Sequence, residues 1–291
     1  MRFTKMQGCG NDYIYVNCFE EEVRDPVQLA IRLSDRNYGI GSDGLILIEP
    51  SERADAYMYM FNRDGSEGMM CGNGLRCVAK YIYDHGLIPS DRTAAVIDTK
   101  SGLKEVALTV ENGLVTEVTV DMGIAEMTGK RPDRISVSGI ELVYYGMDIG
   151  NPHAVYFVED NPALEAWQAA RPGCVPAEAH LGPVSLQDID IRRIQEAAAR
   201  EDIFPEGVNS EFVSVINRNE IDFRVWERGS GETMACGTGA AAAVAAGCIL
   251  GKLNEKVIVH LKGGDLSISY DEKTGRCLMS GPAVEVFSGT I

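Results

Sequence analysis

Two stretches of this chain repeat each other at a fixed separation. Setting Cys71 over Cys236, 165 residues further on, aligns Phe61-Asn62-Arg63-Asp64-Gly65-Ser66-Glu67-Gly68-Met69-Met70-Cys71-Gly72-Asn73-Gly74 with Trp226-Glu227-Arg228-Gly229-Ser230-Gly231-Glu232-Thr233-Met234-Ala235-Cys236-Gly237-Thr238-Gly239. Six of the 14 positions are identical without a gap, and an aromatic faces an aromatic at the first. A second pair lies upstream in the same order. Gly10-Asn11 leads into Tyr13-Ile14-Tyr15-Val16, and Gly150-Asn151 leads into Ala154-Val155-Tyr156-Phe157-Val158. A repeat of this length is a repeat of domains, so the chain reads as two related halves.

The local patterns agree. Asp55–Asn62 and Glu220–Trp226 are rich in aromatic or β-branched residues and read as strands. Each runs into a Gly-rich turn, then Cys-Gly-x-Gly, then a helical stretch, 75–85 in one half and 240–250 in the other. Further strands are expected at 104–110, 115–121 and 257–261, the first two joined by a Glu111-Asn112-Gly113 hairpin turn. The expected fold is α+β: two pseudo-symmetric domains, each a mainly antiparallel curved sheet around a central helix, with the active site in the cleft between them. The division is placed near Asp121-Met122-Gly123, giving 1–121 with 281–291 and 122–280. The last strand, 283–287, is free to return to either half on sequence alone. Gln187–Arg200 reads as a helical insertion with no counterpart in the first half, Arg192 and Arg193 facing solvent. The uncharged run Met234–Gly251 has the length of a membrane span. Seven Ala and four Gly make it small rather than greasy, as suits a helix crowded inside a domain.

Composition narrows the function. The chain has 43 acidic and 27 basic side chains among 291 residues, a net charge of −16. That balance excludes a nucleic-acid binder, which needs clustered positive charge. The opening residues hold no apolar run of leader length, so the expected location is the cytoplasm, without a membrane partner. Eight cysteines are too sparse for a disulfide scaffold. No Cys-x-x-Cys pair and no Cys/His cluster has zinc spacing, so no metal is expected. Cys9, Cys18, Cys77, Cys174, Cys248 and Cys277 read as inert small hydrophobes. Glu20-Glu21-Glu22 reads as a solvated face, and only His153 of the four histidines lies in a repeated block.

A cysteine at a strand-to-helix turn sits beside the first unbonded helix N–H groups, and the macrodipole there favours its thiolate. The following glycines let a ligand approach the backbone, so the same N–H groups can hold a carboxylate. Two such half-sites suit inversion of a stereocentre, which needs a base on one face of the carbon and an acid on the other. An amino-acid α-carbon is a weak acid. Without pyridoxal phosphate as an electron sink, the protein must stabilise the developing charge through the carboxylate.

The two Cys-Gly-x-Gly blocks, with Gly8-x-Gly10-Asn11-Asp12, Gly150-Asn151-Pro152-His153 and Val208-Asn209-x-Glu211-Phe212, resemble the diaminopimelate epimerase family from the N-terminus to about residue 264. The resemblance implies a cofactor-independent isomerase that interconverts LL- and meso-2,6-diaminopimelate for lysine and peptidoglycan synthesis, acting as a homodimer. It implies that Cys71 and Cys236 are the acid/base thiols. Asn11, Asn62, Asn73, Asn151, Asn209, Glu227 and Arg228 would hold the substrate, with the main-chain N–H groups of Gly72, Asn73, Gly237 and Thr238 on the carboxylate at the reacting carbon. His153 and Glu227 would tune the thiols. Many family members have Gln where this chain has Gly44, which puts the distal contacts of the first domain in question. A proline or hydroxyproline racemase on the same fold is the nearest rival. Such racemases usually carry His where this chain has Asn73. A thiol redox switch is the rival from another class.

Overall fold

The computed structural model describes residues 1–167 and 185–291. Cys174 lies outside the described residues. The chain divides into two compact units, Met1–Asp121 with Leu278–Ile291, and Met122–Cys277.

The first unit contains β1 (Arg2–Gly8), β2 (Asn11–Asn17), α1 (Pro26–Ser34), β3 (Gly44–Glu49), β4 (Ala56–Asn62), α2 (Gly72–Asp84), β5 (Ala94–Asp98), β6 (Lys104–Glu111) and β7 (Leu114–Ile124). The second contains β8 (Glu126–Val137), β9 (Ile140–Asp148), β10 (Pro152–Phe157), α3 (Ile191–Arg200), β11 (Asn209–Asn217), β12 (Glu220–Glu227), the short β13 (Gly231–Glu232), α4 (Gly237–Ile249), β14 (Lys256–Leu261) and β15 (Gly264–Asp271). The chain then continues through β16 (Arg276–Gly281) to β17 (Val284–Thr290).

The pairing scheme is duplicated. In the first unit β17, β1 and β2 are antiparallel neighbours, β2–β3 is parallel, β3–β4 antiparallel, β4–β5 parallel, and β5–β6–β7 antiparallel. In the second, β8–β9–β10 is antiparallel, β10–β11 parallel, β11–β12 antiparallel, β12–β14 parallel and β14–β15 antiparallel. The sheets are thus mainly antiparallel, in an α+β fold. Parallel neighbours need a crossover, and the helices supply it. α1 and α3 bridge the first parallel pair of each unit, α2 and α4 the second. The last strand pairs with the first, Arg2 opposite Thr290, and the Met1 amino group donates to the Ile291 carbonyl at 2.8 Å. That assigns the C-terminal strand to the first unit.

α3 is not an insertion, as the sequence pattern suggested; its counterpart is α1. Both helices are capped by an aspartate, Asp25 accepting from the Gln28 N–H at 3.1 Å and Asp190 from the Arg193 N–H at 3.0 Å. The caps are 165 residues apart, the same separation as the two cysteines. Asn11 and Asn151 are only 140 apart, so the additional 25 residues lie between β10 and the cap of α3. α1 is easy to miss because it is short and buries only Ala30, Leu33 and Ser34. Its signal is Pro26 at the first helical position after an aspartate cap. Arg192 and Arg193 are exposed, and the Arg193 guanidinium lies 5.2 Å from the Trp167 ring centre.

α2 and α4 are the central helices, and their ends match at the same separation. α4 buries every residue from Gly239 to Cys248. Its alanines let β9, β10, β11 and β15 close on it. Among the described residues no helix is long and apolar enough to cross a membrane. The β6–β7 turn has Asn112 and Gly113 at φ 53° and 80°, the left-handed pair that a two-residue hairpin turn requires. Of the cysteines expected to be packing residues, Cys9, Cys77, Cys248 and Cys277 are buried and Cys18 is half-buried.

Gly44 has a structural reason. A Cβ there would lie 2.8 Å from the Tyr13 ring and would collide with the Phe61 carbonyl oxygen, since β3 runs between those two strands. Gly44→Gln is therefore expected to lower stability by about 1–3 kcal/mol, read as a lower denaturation midpoint. A midpoint equal to that of the parent would show that the strand has room. A second expectation concerns alkali. Burial pushes the Cys77 thiol from 9.0 to about 11. The folded chain keeps this proton after the unfolded chain has lost it, so stability is full below about pH 8.5 and falls as pH rises towards 11. Urea midpoints across that window should fall, and Cys77→Ala should flatten the fall.

Candidate active site

The residues marked by the repeat fall at the same point in each unit, where the strand before the central helix ends. In the first unit β4 ends at Asn62, whose Nδ2 donates to Ser66 Oγ at 3.0 Å within the Gly-rich turn. Gly65 sits in that turn at φ 84°. Cys71 follows as the N-cap of α2, in extended conformation (φ −129°, ψ 121°), its sulfur accepting from the Gly74 N–H at 3.5 Å. The thiol donates to Asn11 Oδ1 at 3.2 Å. Asn11, at the start of β2, also accepts from Asn73 Nδ2 at 3.4 Å and donates to Asp43 Oδ2 at 2.8 Å. Cys71, Asn73 and Asn11 thus form one connected group, while Asn62 bonds within its own turn. The N–H groups of Gly72 and Asn73 belong to the first helical turn, which has no intrahelical acceptors.

Beneath this group lies a residue the sequence reading did not single out. Arg76 is fully buried, donating to Asn73 Oδ1 at 3.0 Å and to the Pro282 carbonyl at 3.2 Å. Its remaining contacts are to sulfur, Cys9 at 3.8 Å and Met279 at 3.7 Å. No described carboxylate forms an ion pair with it. Nothing in the sequence separates such an arginine from one on a solvated helix face.

In the second unit Cys236 caps α4 in the same conformation (φ −126°, ψ 111°), accepting from the Gly239 N–H at 3.4 Å and lying 3.4 Å from Thr238 Oγ1. Gly237 and Thr238 open the helix as Gly72 and Asn73 do in α2. Glu227, at the end of β12, accepts from the Thr233 hydroxyl, and its carboxyl lies near the Cys236 thiol. Asn209, at the start of β11, accepts from the Arg228 N–H at 2.9 Å and donates to the Pro152 carbonyl at 3.3 Å. Arg228 itself is exposed, with one contact to the Glu206 carbonyl at 3.3 Å. His153 is buried, Nε2 at 3.0 Å from Asn151 Oδ1 and Nδ1 at 2.7 Å from Glu211 Oε1.

One sequence-based expectation is overturned for Cys236. Its helix cap was expected to lower the thiol pKa, yet the thiol is pushed well above 9.0. Burial is the main cause, followed by the Glu227 and Glu211 carboxyls; the Thr238 and Gly239 contacts pull the other way and lose. Desolvation of a buried thiolate outweighs one N–H donor and a helix end. Burial also raises Glu227, partly offset by the Thr233 and Cys236 hydrogen bonds. Cys236 therefore keeps its proton at neutral pH, with the Glu227 carboxyl nearby. Among the described residues no group of His, Cys, Asp and Glu has the arrangement to hold a metal.

The family model for diaminopimelate epimerase matches residues 3–128 and 145–286. A diaminopimelate epimerase of Agathobacter rectalis is 46% identical, the alignment covering 100% of this chain and 99% of that protein. One from Acetivibrio thermocellus is 42% identical over 100% and 98%, and one from Bacillus velezensis 45% identical over 99% and 97%. Among solved structures, a hydroxyproline epimerase from Agrobacterium vitis superposes with a TM-score of 0.67 at 14% identity, covering 99% of this chain and 91% of that one. A Bacillus anthracis phenazine biosynthesis protein of the PhzF family gives 0.66 at 15% identity, covering 100% and 98%. These distant structures share the fold. The sequence matches run end to end and carry both cysteine blocks, and the chain belongs to the diaminopimelate epimerase family.

Proposed function

We propose that this isomerase interconverts LL- and meso-2,6-diaminopimelate by acid/base chemistry between two thiols, in the cytoplasm, as a step of lysine synthesis. The observation that carries the reading is the duplicated cysteine cap, one sulfur at the N-terminus of each central helix. Cys71 and Cys236 serve opposite faces of one α-carbon. One, as thiolate, removes the α-proton, and the C–H pair becomes carbanion-like charge spread into the adjacent carboxylate. The other, as thiol, delivers its proton to the opposite face, and the two exchange roles in the reverse direction. The N–H groups of Gly72, Asn73, Gly237 and Thr238 stabilise the carboxylate as that charge develops. The distal head of the substrate is a second amino acid. Arg228 has the fork to take its carboxylate, and Asn62, Asn209 and Glu227 the groups to fix it without a large excess of charge. His153 and Glu227 set the protonation of the thiol beside them.

The chain acts as a homodimer in this reading. β17 turns Val284, Val286 and Phe287 to solvent, 41%, 54% and 48% exposed, an apolar strip that a second copy can cover.

Run in deuterated water, inversion of LL-diaminopimelate should place solvent deuterium at the inverted centre. Full retention of the original proton would sink the two-thiol scheme, and turnover of proline with none of diaminopimelate would sink the substrate assignment. Cys71→Ala and Cys236→Ala should each lower kcat by about a thousandfold or more, and the double variant little further, because the pair acts as one unit.

A further inference from the structure

The duplication makes one buried side chain conspicuous. Ile46 and Glu211 are the third residues of β3 and β11 and hold the same place in the two units. The third residue after each catalytic cysteine packs on them. A Cβ on Gly74 would come within 2.8 Å of Ile46 Cδ1, and one on Gly239 within 2.9 Å of Glu211 Oε1. Beside them, Tyr13 pairs with Gly44 and His153 pairs with Asn209 in the same register. The fold therefore accepts an aliphatic side chain where the second unit places a carboxyl. A carboxyl with no exposure is costly, and nothing in the architecture demands it.

Its surroundings define its state. Glu211 Oε1 is 2.7 Å from His153 Nδ1, and both side chains are wholly buried. Glu211 Oε2 has no hydrogen-bond partner among the described residues. His153 Nε2 is 3.0 Å from Asn151 Oδ1, an amide oxygen that can only accept, so Nε2 carries a hydrogen. Two arrangements then remain for Nδ1: an imidazolium against a carboxylate, or a neutral imidazole whose lone pair accepts from the acid O–H. In the first, Oε2 would hold about half a negative charge, buried and with no donor among the described residues. In the second it is an ordinary acid carbonyl, much cheaper to bury. The groups around the pair favour the second. Glu227 on β12 and the Cys236 thiol at the cap of α4 bring negative or neutral groups, and no described Lys or Arg pairs with Glu211. Burial raises the Glu211 carboxyl above its usual range despite His153.

We propose that Glu211 is held as the neutral acid, donates its proton to His153 Nδ1, and is a positioning residue that acts through His153 on Asn151. The acid fixes the Nε2–H tautomer. That N–H engages the Asn151 oxygen, which prevents the amide from turning over and leaves its NH2 as the donor for a substrate acceptor, the carboxylate. This relay rests on the proposed amino-acid substrate; the tautomer it requires does not.

The tautomer is read by nitrogen NMR of protein labelled with 15N-histidine, the His153 signals being those lost in His153→Gln. The expected pattern at neutral pH is a protonated Nε2 and an unprotonated Nδ1. A doubly protonated ring, or a proton on Nδ1 alone, overturns the proposal. Glu211→Ile installs the residue the other unit uses, so folding is not at issue. It should raise KM for diaminopimelate about tenfold or more. Glu211→Gln, whose amide N–H can donate to Nδ1 in place of the acid, should recover most of that loss. Parental KM and kcat in the Ile variant, or a Gln variant as impaired as the Ile one, also overturn it. If the parent enzyme does not turn over diaminopimelate, the functional reading fails while the NMR result still decides the state of the dyad.

Discussion

The structure depends on how closely two helices can approach the ends of two strands. In each unit the strand after the first crossover runs under the N-terminus of the central helix, and a glycine three residues past the cysteine is the point of closest approach. That glycine also supplies the N–H that the cysteine sulfur accepts. One residue thus sets both the packing distance and the cap. The cysteine takes the cap position normally held by Ser, Thr, Asp or Asn, a softer and weaker acceptor in return for a thiol at a helix end. The local geometry that closes the fold and the geometry that presents the sulfur are the same geometry.

On matching scaffolds, the two units have filled the space beneath their caps with different chemistry. Under Cys71 the buried polar group is the Arg76 cation, with carbonyl, amide and sulfur partners. Around Cys236 the polar groups are the buried Glu211 and His153 and the half-buried Glu227 carboxyl. A buried arginine without a described acid partner favours negative charge nearby, and the desolvated surroundings of Cys236 oppose it. The pseudo-symmetry of the backbone is therefore not a symmetry of protonation. For chemistry that needs one base and one acid at the same moment, that inequality is a resource.

Much of this was legible in the sequence, because what repeats is what packs. The Cys-Gly-x-Gly blocks carry the strand end, the cap and the helix start within 14 residues, so the central elements, their order and the two thiols could be read off directly. α1 was not legible. It is a single short helix whose Asp25-Pro26 start has no sequence likeness to Asp190-Ile191 beyond the aspartate, so in the sequence pattern α3 reads as an insertion. The raised thiol of Cys236 was not legible either. The helix-end effect is local and visible in the sequence, whereas desolvation and the approach of Glu211 come from strands 25 residues away along the chain. Gly44 looked like a missing contact and is instead a strand position with no room for a side chain.

The pairing of β17 with β1 has a consequence for how the molecule is made. In the first unit β1 precedes the whole of the second unit along the chain and its partner β17 follows it, and Met1 and Ile291 are tied by a hydrogen bond. The second unit is a single uninterrupted stretch, Met122–Cys277. Vectorial synthesis therefore completes the second unit while the first is still waiting for its edge, the reverse of the usual N-terminal-first order. The nascent first unit must hold β1 with one face of its hydrogen-bonding groups unpaired for the time it takes to translate the whole of the second, and it is in that interval, rather than in the finished enzyme, that the strand is exposed to pairing with a stranger.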